Sequence, residues 1–191
     1  MGRGRSIFQE MSTAPEAPDR PSGRQLPARG AIRAWLGALF LLVALMIAVG
    51  GLTRLTDSGL SITEWAPVTG AIPPMSAEGW QTAFDKYKAI PEYRLQNEGM
   101  SLGAFKRIYW WEWGHRQLGR VIGLVWVAGF LWFWLRGRLP RGWAGRLAAL
   151  GALGGLQGAI GWWMVSSGLT GTALDVASYR LATHLGLAFA I

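Results

Sequence analysis

The chain has 191 residues, of which 51% are hydrophobic, 16% are charged, 12 are tryptophan and none is cysteine. Disulfides, thiolate metal sites and thiol nucleophiles are therefore excluded, and imidazole chemistry is confined to His115 and His184. The net charge of +8 does not signal nucleic acid, because the basic residues gather in the N-terminal tail and one short loop, the pattern of a positive-inside membrane protein.

Residues 1–30 are rich in Arg, Pro, Ser and Gly and lack apolar periodicity, so a disordered cytoplasmic tail is expected. No apolar core precedes a small-residue cleavage site, which argues against a secretory signal. Glu10, Glu16 and Asp19 argue against a mitochondrial transit peptide. Residues 32–52 form the first expected span, long enough as a helix to cross about 30 Å of hydrocarbon. Arginines outnumber acids in the preceding tail, which favours a cytoplasmic N-terminus.

Residues 53–107 form a polar outer loop with balanced charge, broken by Pro67, Pro73, Pro74 and Pro91. The loop is too long for a passive connector and is expected to cap something. A helix is expected from Ser76 to Lys88, with Ser76 as N-cap and Glu78 in the first turn. Trp80 and Phe84, one turn apart, are expected to rest on the membrane interface. Arg54, Asp57 and Glu64 are candidate docking charges, with a solvated surface as the default.

Residues 109–135 form the second span. Trp110, Trp111 and Trp113 make one interfacial belt and Trp132 and Trp134 the other. Arg136, Arg138, Arg141 and Arg146 follow with no acid between them, which places that loop in the cytoplasm. Residues 143–165 form the third span. Its Gly151, Gly154, Gly155, Gly158 and Gly161 are expected to make a close-packing face, and Gln157 an interhelical hydrogen bond. A fourth span begins at Tyr179. Its roughly 13 residues cover only about 20 Å as a helix, so it is expected to be incomplete and the chain truncated within it.

Glu112, His115, Arg116 and Arg120 lie within the second span, where ionisable groups are costly and mark functional sites. Glu112 and His115 are three residues apart and share a helix face. His115 and His184 each fall about 8–9 Å below the outer boundary at 1.5 Å per residue. Two imidazoles at matched depth on different helices suit a heme iron or another planar metal complex. A protein-only zinc site is poorly supplied, since only Glu112 offers a third ligand. The plainer readings are hydrogen-bonding histidines, a Glu112–Arg116 ion pair, and arginines that snorkel rather than meet heme propionates.

The sequence resembles the heme A synthase family of integral membrane proteins. Three motifs carry the resemblance. The first is Gly50-Gly51-Leu52-Thr53-Arg54-Leu55-Thr56-Asp57-Ser58-Gly59-Leu60-Ser61, with Glu64-Trp65-Ala66-Pro67-Val68-Thr69-Gly70 and Pro73-Pro74. The second is Glu112-Trp113-Gly114-His115-Arg116 with Gly119-Arg120. The third is Leu156-Gln157-Gly158 through Gly161-Trp162-Trp163-Met164-Val165-Ser166-Ser167-Gly168-Leu169, followed by Arg180-Leu181-Ala182-Thr183-His184-Leu185. The resemblance covers residues 31–191 and fits the cysteine-free members. It implies an all-α polytopic bundle of eight helices in two pseudo-symmetric halves, with this chain matching the first.

It also implies an oxidoreductase that converts a ring methyl of heme O to the formyl group of heme A for terminal oxidases. His115 and His184 would be the axial ligands of the substrate heme, Glu112 would join them in catalysis, and Arg116 and Arg120 would contact the heme. Heme B would belong to the other half, and this half alone would be inactive. A heme O synthase as donor, an external electron acceptor, surrounding lipid, a homo-oligomer and the bacterial inner membrane complete the expectation. The rival readings are a b-type cytochrome relaying electrons through a bis-histidine heme and an assembly factor acting through the outer loop.

Overall fold

The computed structural model describes residues 29–172 and 174–191. The tail expected over residues 1–30 lies almost wholly outside the described residues. Among the described residues every long regular element is an α-helix: α1 (Arg29–Leu55), α2 (Ala77–Lys88), α3 (Pro91–Leu95), α4 (Leu102–Leu135), α5 (Trp143–Ser166) and α6 (Ser178–Ala190).

Three of these helices, α1, α4 and α5, are long and apolar enough to cross a membrane. Few residues of their apolar stretches are fully buried within the protein, as expected of a polytopic helical bundle whose solvent is lipid. The expected fourth span is the 13-residue α6. Helix α1 packs on α4, α4 on α5, α5 on α6, and α6 returns to α1, so the four close into a ring.

Small residues let the helices approach. The Trp35 indole of α1 occupies the space a side chain on Gly129 of α4 would need, and its Nε1 donates to the Val125 carbonyl at 2.9 Å. Trp126 of α4 fills the corresponding space at Gly151 of α5. The glycine face of α5 is used only in part. Gly151 meets Trp126 and Gly161 meets His184, whereas Gly154, Gly155 and Gly158 have open space. The physical reason is that α4 and α6 touch α5 at different levels, leaving its middle glycines uncovered.

Helix α4 begins at Leu102, seven residues before the expected span, because Ser101 caps it by accepting from the Ala104 N–H at 3.2 Å. The extension gives the outer loop a surface to fold on. Ser76 caps α2 as expected, accepting from the Gly79 N–H at 3.0 Å. Pro91, read as a break, instead starts α3 at its first turn, where a missing N–H costs nothing.

The outer loop buries Leu60, Phe84, Tyr87 and Ile90 in a core completed by Phe105 and Tyr109 of α4 and Val165 of α5. Phe84 stacks on Phe105 with centroids 4.9 Å apart. This corrects the expected interfacial role of Trp80 and Phe84. Phe84 is buried, and Trp80 packs edge-on against Tyr109 at 5.0 Å, because the extended α4 offers α2 an aromatic wall to bury against.

Glu92 is buried in this cap at 3% exposure. It accepts from the Tyr87 hydroxyl at 3.1 Å and the Asn97 amide at 3.4 Å. Burial pushes its carboxyl up to about 7; the Tyr87 bond pulls down, and the charges of Asp57, Glu112 and Asp175 add upward. Burial also raises the Tyr87 phenol, helped by the Glu92 charge.

Candidate functional site

Glu112 is 2% exposed and both its oxygens are engaged. Oε2 accepts from the Ser61 hydroxyl and the Ile62 N–H, each at 2.7 Å. Oε1 accepts from Arg116 Nη2 at 2.5 Å and Nε at 3.0 Å. The pair at i, i+4 on α4 is thus an ion pair, one of the two readings the spacing allowed. It is also the anchor of the outer loop, since two of the four donors come from residues 61 and 62.

Arg116 continues outward, donating from Nη2 to the Ile62 carbonyl at 2.7 Å and from Nη1 to the Glu64 carbonyl at 3.0 Å. Arg120, one turn deeper, donates to the Pro67 carbonyl through Nε and the Ala66 carbonyl through Nη2, both at 2.9 Å. Its Nη1 donates to Gln117 Oε1 at 2.7 Å. Gln117 in turn donates to the Ala71 carbonyl at 3.1 Å. Expected as heme contacts, the two arginines are placed here by bonds to the loop backbone.

The two histidines sit on α4 and α6, opposite members of the ring of four helices. His115 of α4 lies against α1 at Gly50, where a Cβ would stand 3.2 Å from its Nε2. His184 of α6 lies against α5 at Gly161, where a Cβ would stand 2.8 Å from its Cε1. Each imidazole therefore rests in a notch left by a glycine. The backbone carbonyl of His184 accepts from Gln157 Nε2 at 2.9 Å, which is the interhelical bond expected of Gln157. The His184 Nδ1 is buried without a hydrogen-bond partner.

Those observations suit heme ligation. A buried ring nitrogen without a partner is costly, and His184 Nδ1 faces Gly161 of α5. Among the described residues no three His, Asp or Glu side chains gather into a metal-binding set.

Of the three candidate docking charges, Arg54 and Glu64 form exposed ion pairs within the chain. Arg54 at the end of α1 pairs with Asp175 at 2.6 Å, tying the two outer loops together, and Glu64 pairs with Lys86 at 2.8 Å. The residues that sequence reasoning missed are Gly50 and Gly161 as ring seats and Ser61 and Ile62 as donors to Glu112. Ser61 and Gly50 stand at the two ends of the first motif, which was a usable signal. An N–H donor such as that of Ile62 leaves no trace in residue type.

Residues 33–191 match the COX15-CtaA family, described as cytochrome oxidase assembly protein. The chain is 68% identical to the heme A synthase of Dinoroseobacter shibae over 100% of its own length and 51% of that protein. It is 64% identical to the heme A synthase of Ruegeria pomeroyi, over 100% of the chain and 52% of the relative. With the heme A synthase of Paracoccus denitrificans it shares 63% identity, over 98% of the chain and 50% of the relative. The chain thus spans about half the length of the curated relatives it matches. No solved structure matches it.

Proposed function

We propose, from the premise that this chain belongs to the COX15-CtaA family of cytochrome oxidase assembly proteins, that it supplies the substrate-heme site of a heme A synthase. The reaction is oxidation of a ring methyl of heme O to a formyl group, by an enzyme of the oxidoreductase class. The observation that carries this reading is the pair of glycine-seated imidazoles on α4 and α6, facing members of the four-helix ring, one with a buried nitrogen that lacks a partner.

His115 and His184 are the proposed axial ligands of the substrate heme. Bound there, the heme iron would supply the redox chemistry that the side chains lack. Glu112 is the proposed catalytic carboxylate. With four donors on its two oxygens it is a fixed negative charge rather than a swinging base, suited to offset positive charge developing nearby. Arg116 and Arg120 are proposed to act on the heme through the loop they hold, the alternative being direct contact with its propionates.

The rival reading of an electron-relaying b-type cytochrome finds no support among the relatives, which carry the name of heme A synthase. The setting proposed is the bacterial inner membrane with a cytoplasmic N-terminus. A heme O synthase is the proposed donor of substrate, and an external electron acceptor and self-association are proposed with it. Heme B would be held outside this chain.

The test is heme extraction from cells whose only heme A synthase carries this sequence. The Glu112→Ala variant should accumulate heme O and make no heme A. Full heme A content in that variant would refute the catalytic role.

A further inference from the structure

The stretch from Trp65 to Met75 carries no charged residue, although Glu64 and Glu78 flank it and the rest of the outer loop is richly charged. Among the described residues its apolar side chains are some of the most exposed: Trp65 at 51%, Val68 at 81%, Ile72 at 71% and Met75 at 83%. On a water-facing loop such a patch would be an aggregation liability.

Its position along α4 removes the contradiction. The backbone carbonyls of Ile62, Glu64, Ala66, Pro67 and Ala71 accept from Arg116, Gln117 and Arg120. Together with the bonds to Glu112, these place the segment alongside α4 from residue 112 to residue 120, a descent of about 12 Å at 1.5 Å per residue. That part of α4 opens the expected span of residues 109–135 and continues into the exposed Val121 and Leu124. In water, solvent would satisfy these carbonyls. Non-helical backbone at membrane depth is tolerated only where protein groups do so. Three polar side chains of a membrane span serving five loop carbonyls meet that requirement.

We propose that residues 65–75 are a re-entrant segment seated in the outer leaflet, with Val68, Ile72 and Met75 against lipid acyl chains and Trp65 at the interface. The occupant is lipid because the patch continues the apolar exterior of α4, which the bilayer already covers. An apolar patch of this kind fits a membrane or a protein partner, and its continuity with the exterior of α4 favours lipid. The segment also explains why a span carries two arginines and a glutamine, independently of any heme.

The natural absence of cysteine makes the test direct. Val68→Cys and Ile72→Cys are prepared in membranes beside Glu98→Cys, on the exposed outer loop, and Leu124→Cys, on the exposed face of α4. Reaction with a charged, membrane-impermeant maleimide should be about tenfold slower at positions 68 and 72 than at 98. A small permeant fluorophore at 68 or 72 should be quenched by phosphatidylcholine with brominated acyl chains as strongly as one at 124. Reaction as fast as at 98 would overturn the proposal. So would protection from both maleimide and brominated lipid, which would show a protein partner or a second copy on the patch.

Discussion

The imidazole of His115 lies so close to Gly50 that a side chain there would meet it, a Cβ standing 3.2 Å from Nε2. Glycine is what lets α1 and this ring share the space. A Gly50→Val substitution should displace the ring while leaving the bundle folded, since α1 and α4 also pack through Trp35 and Gly129. The expected result is loss of most bound heme at unchanged helicity, read from the heme-to-protein ratio and circular dichroism. Gly161→Val, whose Cβ would stand only 2.8 Å from His184 Cε1, should be at least as damaging. Normal heme content in both variants would show that the ring seats do not matter.

The Glu112–Arg116 pair should be expensive to break. With Glu112 almost fully buried, Arg116→Ala leaves a carboxylate with only Ser61 and Ile62 as donors. Removing one partner of a buried pair costs about 3–5 kcal/mol. Arg116→Lys should recover little, because one ammonium does not replace a fork that serves Glu112 and two carbonyls. Thermal unfolding in detergent measures this. A loss below about 1 kcal/mol would mean that the loop holds Glu112 without the arginine.

Glu92 should make the outer cap sensitive to pH. Its carboxyl is raised to about 7 in the folded protein, so the folded state keeps a proton that the unfolded chain has released. The cap is accordingly most stable below the ordinary carboxylate range and loses stability as pH rises through about 7. Hydrogen exchange of α2 and α3 amides between pH 5 and 8, corrected for intrinsic rates, should show that loss, and Glu92→Gln should flatten it. An unchanged slope in the variant would assign the dependence to another group.

The Arg54–Asp175 pair is expected to matter little to stability. Its side chains are 46% and 58% exposed, and exposed pairs contribute about 0–1 kcal/mol. Asp175→Asn should shift the unfolding midpoint only slightly, and less at high salt. A large, salt-independent loss would show that the two outer loops depend on this contact.

What the sequence revealed and what it hid follow physical lines. The spans were legible because length and apolar composition alone define them, and the Ser76 cap of α2 because a single oxygen decides it. The pairing of Gln157 followed from the cost of an amide at depth. The upward extension of α4 was not legible, because residues 102–108 are mixed in polarity and become helical through the cap they support. Trp80 and Phe84 were assigned to the membrane surface because periodicity reports an apolar face and not what covers it. The glutamate and histidines of the site stood out by depth. Their seats and donors did not, since glycine notches and backbone N–H groups acquire meaning only when helices meet.

The central claim is that His115 and His184 grip one heme between them, and the electronic spectrum of the pigment bound by this chain tests it most directly. The account predicts a six-coordinate, low-spin bis-imidazole spectrum by optical absorption and electron paramagnetic resonance. Each of His115→Ala and His184→Ala should convert it to a five-coordinate, high-spin form or lose the pigment. A low-spin spectrum that survives both substitutions would contradict the account.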